Sequence, residues 1–150
     1  MEARTIDTTH SFFQGLLDAL GERGRVEISP ERDGLYVNLV GNFRRISEQD
    51  AQLRGDLGRI ARLHLRARLR RAVPVVVDFN GRRAAHRKSL VEQALTMAER
   101  AVAEHRKVRL APMTAEDRLV VHLALAEFPG VHTYSVGKGS QRRVVIEPEG

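Results

Sequence analysis

There is no cysteine and no tryptophan among the 150 residues. The first absence excludes disulfides, thiolate metal sites and a cysteine nucleophile. The second, with only five phenylalanines and two tyrosines, leaves few rings on which a nucleobase could stack. No apolar run approaches the roughly 18 residues that a membrane-spanning helix needs, so direct membrane insertion is not expected. The opening residues, MEARTIDTTHSFF, contain acids and no apolar stretch, which argues against a secretory signal and makes the cytoplasm the expected compartment. The six histidines are scattered and form no H-x-x-x-H or H-E-x-x-H pair. A Walker loop and a G-x-S-x-G turn are missing as well. The expectation is a non-enzyme with no catalytic residue, no metal and no cofactor.

What the chain has is arginine. Its net charge is +6, and only Lys88, Lys107 and Lys138 of its 25 basic residues are lysine. The charge is uneven. Between Arg44 and Arg109 basic residues outnumber acidic ones 17 to 7, whereas elsewhere acidic residues lead 12 to 8. Concentrated positive charge is the footprint of a phosphate-backbone partner. Arginine's planar fork suits bidentate phosphate contacts and stacking. A general compositional bias toward arginine is the competing explanation.

Taken in order, residues 9–20 read as an amphipathic helix with Phe12, Leu16, Leu17 and Leu20 on one face, ended by Gly21. Two strands follow within 24–40, across a polar turn at Pro30–Gly34. A long helix is expected from Ser47 or Gln52 to Arg70 or Arg71, opened by a Ser47/Asp50 capping box, then a strand at 73–79. On that helix Arg59, Arg62, Arg66 and Arg70 fall on one side, away from Leu53, Leu57 and Ile60. They form either a basic stripe for a phosphate backbone or a solvated face. From Gly81 a second long helix begins, with Leu90, Ala94, Met97, Ala98 and Ala101 as its packed face. A strand at 107–112, a helix within 113–128 and a final hairpin complete the chain. The 73–79 strand is expected to feed the second sheet or lend it an edge.

The helix at Met113 carries the sharpest signal. Thr114 and Asp117 have capping-box spacing, and Arg118 and His122 are four apart, one turn above each other on one face. Arginine can grip a phosphate or stack, and neutral histidine offers one donor, one acceptor and a flat ring. Such a pair serving as a binding surface should be exposed. The structural alternative is a core histidine with Arg118 paired to Glu116 or Asp117. Lys138, Arg142 and Arg143 flank the last hairpin, and strand alternation puts the two arginines on opposite faces. Arg83, Arg87 and Lys88 open the preceding helix, where positive charge opposes the macrodipole unless an anion sits there. Phe79 and Tyr134 are the aromatic candidates near this half.

An Arg-x-x-x-His helix followed by a hairpin resembles the R-three-H single-stranded nucleic-acid-binding domain. The series Asp78, Arg83, Leu90, Leu110, Met113, Arg118, His122, Val131, Thr133, Ser135, Gly137, Arg142, Arg143, Val145 and Ile146 resembles the C-terminal half of the bacterial SpoIIIJ-associated (Jag) family. The match is strong over 74–148. That family places a type II KH domain before the R-x-x-x-H domain. The resemblance therefore implies an α+β chain of two small domains. The first is a KH-like α-β-β-α-β unit over 1–80. The second is an α-β-α-β-β unit over 81–150, a three-stranded sheet with helices on one side. It also implies binding of single-stranded RNA or DNA, RNA in the first place, in a role linked to cell elongation and division.

The KH half departs from its family. The G-x-x-G loop that would clamp phosphates should fall near 47–51, where Ser47, Glu48, Gln49, Asp50 and Ala51 stand instead. A literal Gly55-Asp-Leu-Gly58 lies about two turns inside the helical pattern and is the alternative loop. The expectation is a degenerate KH domain. On a second reading that half is an interaction module that docks another KH-domain protein.

Overall fold

The computed structural model describes residues 2–150, in two compact units that divide between Ala84 and Ala85. Both are α+β, each with one three-stranded sheet. No helix among the described residues is long and apolar enough to cross a membrane.

The first unit runs α1 (Ala3–Ala19), β1 (Arg25–Pro30), β2 (Leu35–Val40), α2 (Ala51–Leu69) and β3 (Val75–Phe79). Its sheet order is β1-β2-β3; β1 is antiparallel to β2, and β2 is parallel to β3. Parallel neighbours need a crossover, and α2 supplies it. On β2 the odd residues Leu35, Val37 and Leu39 are buried in the core with Val75, Val77 and Phe79 of β3. Phe13 and Leu17 of α1 and Leu57, Ala61 and Leu65 of α2 complete that core. Phe79 is fully buried there against Phe43 and offers no stacking surface.

The helix α1 starts six residues before the predicted position. Its buried stripe is Thr5, Thr9, Phe13 and Leu17 at four-residue steps, and half of it is polar. Thr9 Oγ1 donates to the Thr5 carbonyl (2.7 Å), and Arg71 donates to Thr5 Oγ1 (2.6 Å). Those bonds let threonine occupy core positions that apolar periodicity does not reveal.

The helix α2 is continuous from Ala51 to Leu69, and its N-cap is Asp50 rather than Ser47. The Asp50 carboxylate accepts from Leu53 N (2.9 Å), while Ser47 contributes its carbonyl to the preceding turn. Gly55 and Gly58 are therefore helical, and the alternative loop does not exist. A Cβ on Gly58 would lie 3.3 Å from the Val75 carbonyl, so a glycine there lets α2 sit close to β3, whereas Gly55 faces open space. The buried face is Leu57, Gly58, Ala61 and Leu65. Ile60, expected in the core, is 51% exposed, and Leu63 is 62% exposed.

The strand β3 belongs to the first sheet and pairs with β2 along its length. The expectation that it feeds the second sheet is wrong. Its Asp78 is buried, and it accepts from Tyr36 Oη (2.5 Å), Phe79 N (2.8 Å), Arg83 N (2.9 Å) and Ala84 N (3.0 Å). Burial pushes its carboxyl up, but the hydrogen bonds from Tyr36 and the three amides outweigh that and hold it below the ordinary value. The same contact and burial push the Tyr36 hydroxyl well up.

The second unit is built on α3 (Arg82–Glu104), which starts before the division and continues past it, then β4 (Val108–Arg109), α4 (Ala115–Leu125), β5 (Val131–Val136) and β6 (Arg143–Pro148). The sheet is antiparallel in the order β4-β6-β5. Ala94, Ala98 and Ala101 of α3 and Val121 and Leu125 of α4 pack on Val131, Val144 and Ile146. Three alanines at helical spacing form the buried face of α3 in this core. The strand at 107–112 shortens to two paired residues, though Leu110 N still donates to the Val144 carbonyl (3.0 Å).

Because Gly55 is helical, exposed and surrounded by open space, Gly55→Ala should stabilise the protein by about 1 kcal/mol. Chemical denaturation measures it. A loss of stability would mean that this glycine holds a non-helical backbone.

Candidate nucleic-acid interface

Thr114 caps α4, its hydroxyl accepting from Asp117 N at 3.2 Å. This fixes the register of the helix and sets Arg118 and His122 on the side that meets β5. On β5 the odd residues share a face with the core residue Val131, so Thr133 and Ser135 point toward α4. His122 Nδ1 lies 2.7 Å from Thr133 Oγ1 and its Nε2 lies 3.1 Å from Ser135 Oγ. Both ring nitrogens are thus occupied by hydroxyls, and the half-buried ring is held edge-on to the strand.

Burial, and then the charge of Arg118, hold the His122 pKa below its ordinary value. A neutral ring has one N–H and one lone pair. One hydroxyl therefore accepts from the ring and keeps its own proton to donate outward. The other donates to the ring and keeps lone pairs. Protonation would demand two accepting hydroxyls at once.

Arg118 is half-buried, and Nη1 donates to the Met113 carbonyl at 2.7 Å. Met113 N in turn donates to the Arg142 carbonyl (3.1 Å), and Arg142 Nη1 donates to the Gly137 carbonyl (2.8 Å). The start of α4 and the hairpin turn are laced together by these bonds. Arg118 and the Arg142 backbone both bond Met113, and Lys138 is exposed on the turn. Neither Arg118 nor His122 is the freely exposed side chain that the sequence reading expects of a binding pair. Each is built into the domain.

The remaining cations fall elsewhere. Arg143 pairs across from Val136 on the face of the sheet turned away from the helices, so alternation does separate it from Arg142. Arg83 and Arg87 stand in the first two turns of α3. The N-terminal amides of that helix are held by Asp78, so the anion the sequence invites there is internal. His86, which the sequence reading passes over, lies 2.9 Å from Asp117 and ties the basic start of α3, including Arg87 and Lys88, to the first turn of α4. Thr133 and Ser135 are also unassigned by the sequence, although a Thr-x-Ser pair on one strand face was the available signal.

Of the α2 arginines, Arg62 Nη1 folds back onto the Val75 carbonyl (3.0 Å), while Arg59, Arg66 and Arg70 are exposed. Arg70 ends the helix in a left-handed conformation (φ 58°). The segment where a KH loop would lie is tied down. Glu48 accepts from Asn80 (2.5 Å) and Arg82 (3.3 Å), and Asn80 also bonds both backbone groups of Gly41 (2.9 Å each). No group of three metal-ligating side chains occurs among the described residues.

Residues 88–148 match the R-three-H domain family. That segment contains α4, the hairpin and all of the His122 hydrogen-bond network. The chain is also similar to the RNA-binding protein KhpB of Bacillus subtilis (strain 168), at 28% identity over 74 residues. The similarity covers 48% of this chain and 36% of that protein, so the chain spans little more than a third of its relative.

His122 should titrate below 6.5 in a histidine NMR titration of the folded chain. Its folded pKa lies below the unfolded one, so this residue's share of stability is full above about pH 6.5 and falls as pH drops through that value. Thr133→Val, which leaves one ring nitrogen unpaired, should cost about 1 kcal/mol. An unshifted midpoint, at about 6.5, would mean that the ring is open to water.

Proposed function

We propose that the chain is a non-catalytic, cytoplasmic protein that binds single-stranded nucleic acid, RNA in the first place, through its second unit. The observation that carries this reading is the Arg118–His122 pair on α4, fixed by Met113, Thr133 and Ser135 inside the segment that matches the R-three-H family. With both nitrogens of a neutral His122 held by hydroxyls, the hydroxyl that accepts from the ring keeps a proton to donate and the other keeps lone pairs. These are what the site offers to a base edge or a ribose hydroxyl. Arg118, Arg142 and Lys138, with Arg87 at the start of α3, supply cations for the backbone. The RNA-binding relative supports RNA over DNA. The regulatory role in cell elongation and division implied by the sequence resemblance belongs to the same proposal.

On this reading the first unit is a KH-like domain that has given up its phosphate clamp. The amides that open α2 are capped by Asp50, and Glu48 is spent on Asn80 and Arg82. A second reading of that unit, docking another KH-type protein, is favoured by one observation. Ile60 and Leu63 are more than half exposed among Arg59, Arg62 and Arg66, beside a shallow groove that Ala72, Val73 and Pro74 help to line. That surface suits an apolar partner with acidic flanks.

A titration with single-stranded RNA and DNA of equal length tests both. Arg118→Ala with His122→Ala should weaken RNA binding by about 2–5 kcal/mol. The salt slope should show roughly 0.7 per neutralised phosphate. Changing Arg59, Arg62 and Arg66 together to Gln should leave that slope in place, because the α2 face serves a protein. Unimpaired binding by a folded Arg118/His122 double variant would sink the main reading, and a flattened slope in the triple variant would sink the second.

A further inference from the structure

Strand alternation gives the second sheet two faces of different chemistry. Thr133, Ser135, Val144 and Ile146 face the helices. The register puts His132 opposite Glu147, Tyr134 opposite Val145, Arg109 on the other side of Val145, and Val136 opposite Arg143, all on the outer face. Lys107 joins them through Glu147, which lies 3.3 Å from Lys107 Nζ and 3.3 Å from His132 Nε2. The side chains of His132 and Lys107 are each 53% exposed, and Arg109 is exposed as well. The rings of His132 and Tyr134 sit with centroids 6.0 Å apart and planes 30° from parallel.

In a chain with two tyrosines and no tryptophan, one half-buried tyrosine stands beside an exposed histidine ring, over the buried Val145, among three cations and one carboxylate. We infer that this outer face, with His132 and Tyr134 as stacking rings and Lys107, Arg109 and Arg143 as phosphate contacts, is a second site for single-stranded nucleic acid. The inference rests on the nucleic-acid reading of the domain and extends it to the opposite side of the sheet. Residues two apart on a strand present rings at a spacing that takes successive unstacked bases, and sheet-borne aromatics bind single strands in this way. The face bears three permanent positive charges against one negative charge, which fits a polyanion. The two sites share β5, an edge strand. Its odd residues serve Arg118 and His122, and its even residues carry the rings. A strand held at α4 can pass the edge beside Lys138 and lay its next bases on the outer face. Glu147 is the one group that opposes a phosphate there, and it holds Lys107 and His132 in place until a ligand competes for them.

The test uses the full chain with oligouridylates of four and twelve nucleotides, read by fluorescence anisotropy. A 4-thiouridine label in the longer strand reports crosslinks. His132→Ala with Tyr134→Leu should weaken binding of the twelve-mer by about tenfold or more and change binding of the four-mer less. Tyr134→Phe, which keeps the ring and loses only the hydroxyl's hydrogen bonds to Glu147 and Lys107, should bind the twelve-mer more tightly than the His132/Tyr134 double variant does. Glu147→Gln, which removes the opposing charge, should tighten the twelve-mer several-fold at low salt. A structural role for Glu147 predicts no gain. Crosslinks should reach Tyr134 or His132. If the parent binds, and the ring variants bind the twelve-mer equally well without crosslinks to β5 even residues, the outer face is not a site, although the α4 site stands. If the parent binds neither strand, the nucleic-acid reading itself falls and takes this one with it. Should the ring double variant fail to fold, the Glu147→Gln gain and the crosslinks decide.

Discussion

Asp78 has no access to solvent and four hydrogen-bond donors around it, and the junction of β2, β3 and α3 depends on that carboxylate. A buried charge without partners costs several kcal/mol, so its retention requires all of them to be in place. Tyr36 reaches it from β2, which locks the parallel pairing. The amides of Arg83 and Ala84 reach it from the first turn of α3, where an anion also answers the helix dipole. Two residues after Asp78, Asn80, with φ at 52°, turns the chain and clamps Gly41 and Glu48. The first turn of α3, which lies in the first unit, is therefore anchored by a side chain of the first sheet.

The same economy governs where nucleic acid can bind. A helix N-terminus is a ready anion site, and this chain fills two of them with its own carboxylates, Asp50 at α2 and Asp78 at α3. Thr114, a neutral cap, opens α4. If the first unit is read as KH-like, the clamp expected of its loop is missing at the level of backbone amides as well as glycines. On the proposed reading, what remains for a polyanion is side-chain chemistry on the hairpin and α4. There Arg118 and His122 are held by Met113, Thr133 and Ser135 and need no reorganisation to receive a ligand. Fixing a long arginine in advance removes part of the entropy that an exposed one would lose on binding.

Local signals in the sequence were dependable where the physics is local. The Thr114 cap, the Gly21 stop, the two hairpins and the α-β-β-α-β then α-β-α-β-β order are all present as read. Three kinds of feature were out of reach. The α1 start is hidden because Thr5 and Thr9 fill core positions through hydrogen bonds that a hydropathy pattern scores as polar. The buried face of α2 is misplaced because close approach to β3 selects Gly58 and Ala61, leaving the bulkier Ile60 and Leu63 outside. Long-range partners could not be seen either. Tyr36 meets Asp78 across 42 positions, and the pairing of β3 with β2 is a matter of topology that no window of sequence contains. The R-x-x-x-H spacing pointed to α4, but not to the hydroxyls that hold the orientation of its histidine.

The central claim is that single-stranded RNA is received at the α4–hairpin junction, with the KH-like amides already spent. Backbone amide shift mapping by NMR, during addition of a twelve-nucleotide single-stranded RNA to the full chain, tests it most directly. The account predicts the largest changes at Arg118, His122, Thr133, Ser135 and the Gly137–Arg142 turn, with Ser47 to Gly58 unmoved. Changes centred on Ser47 to Gly58, with the α4 site silent, would contradict it.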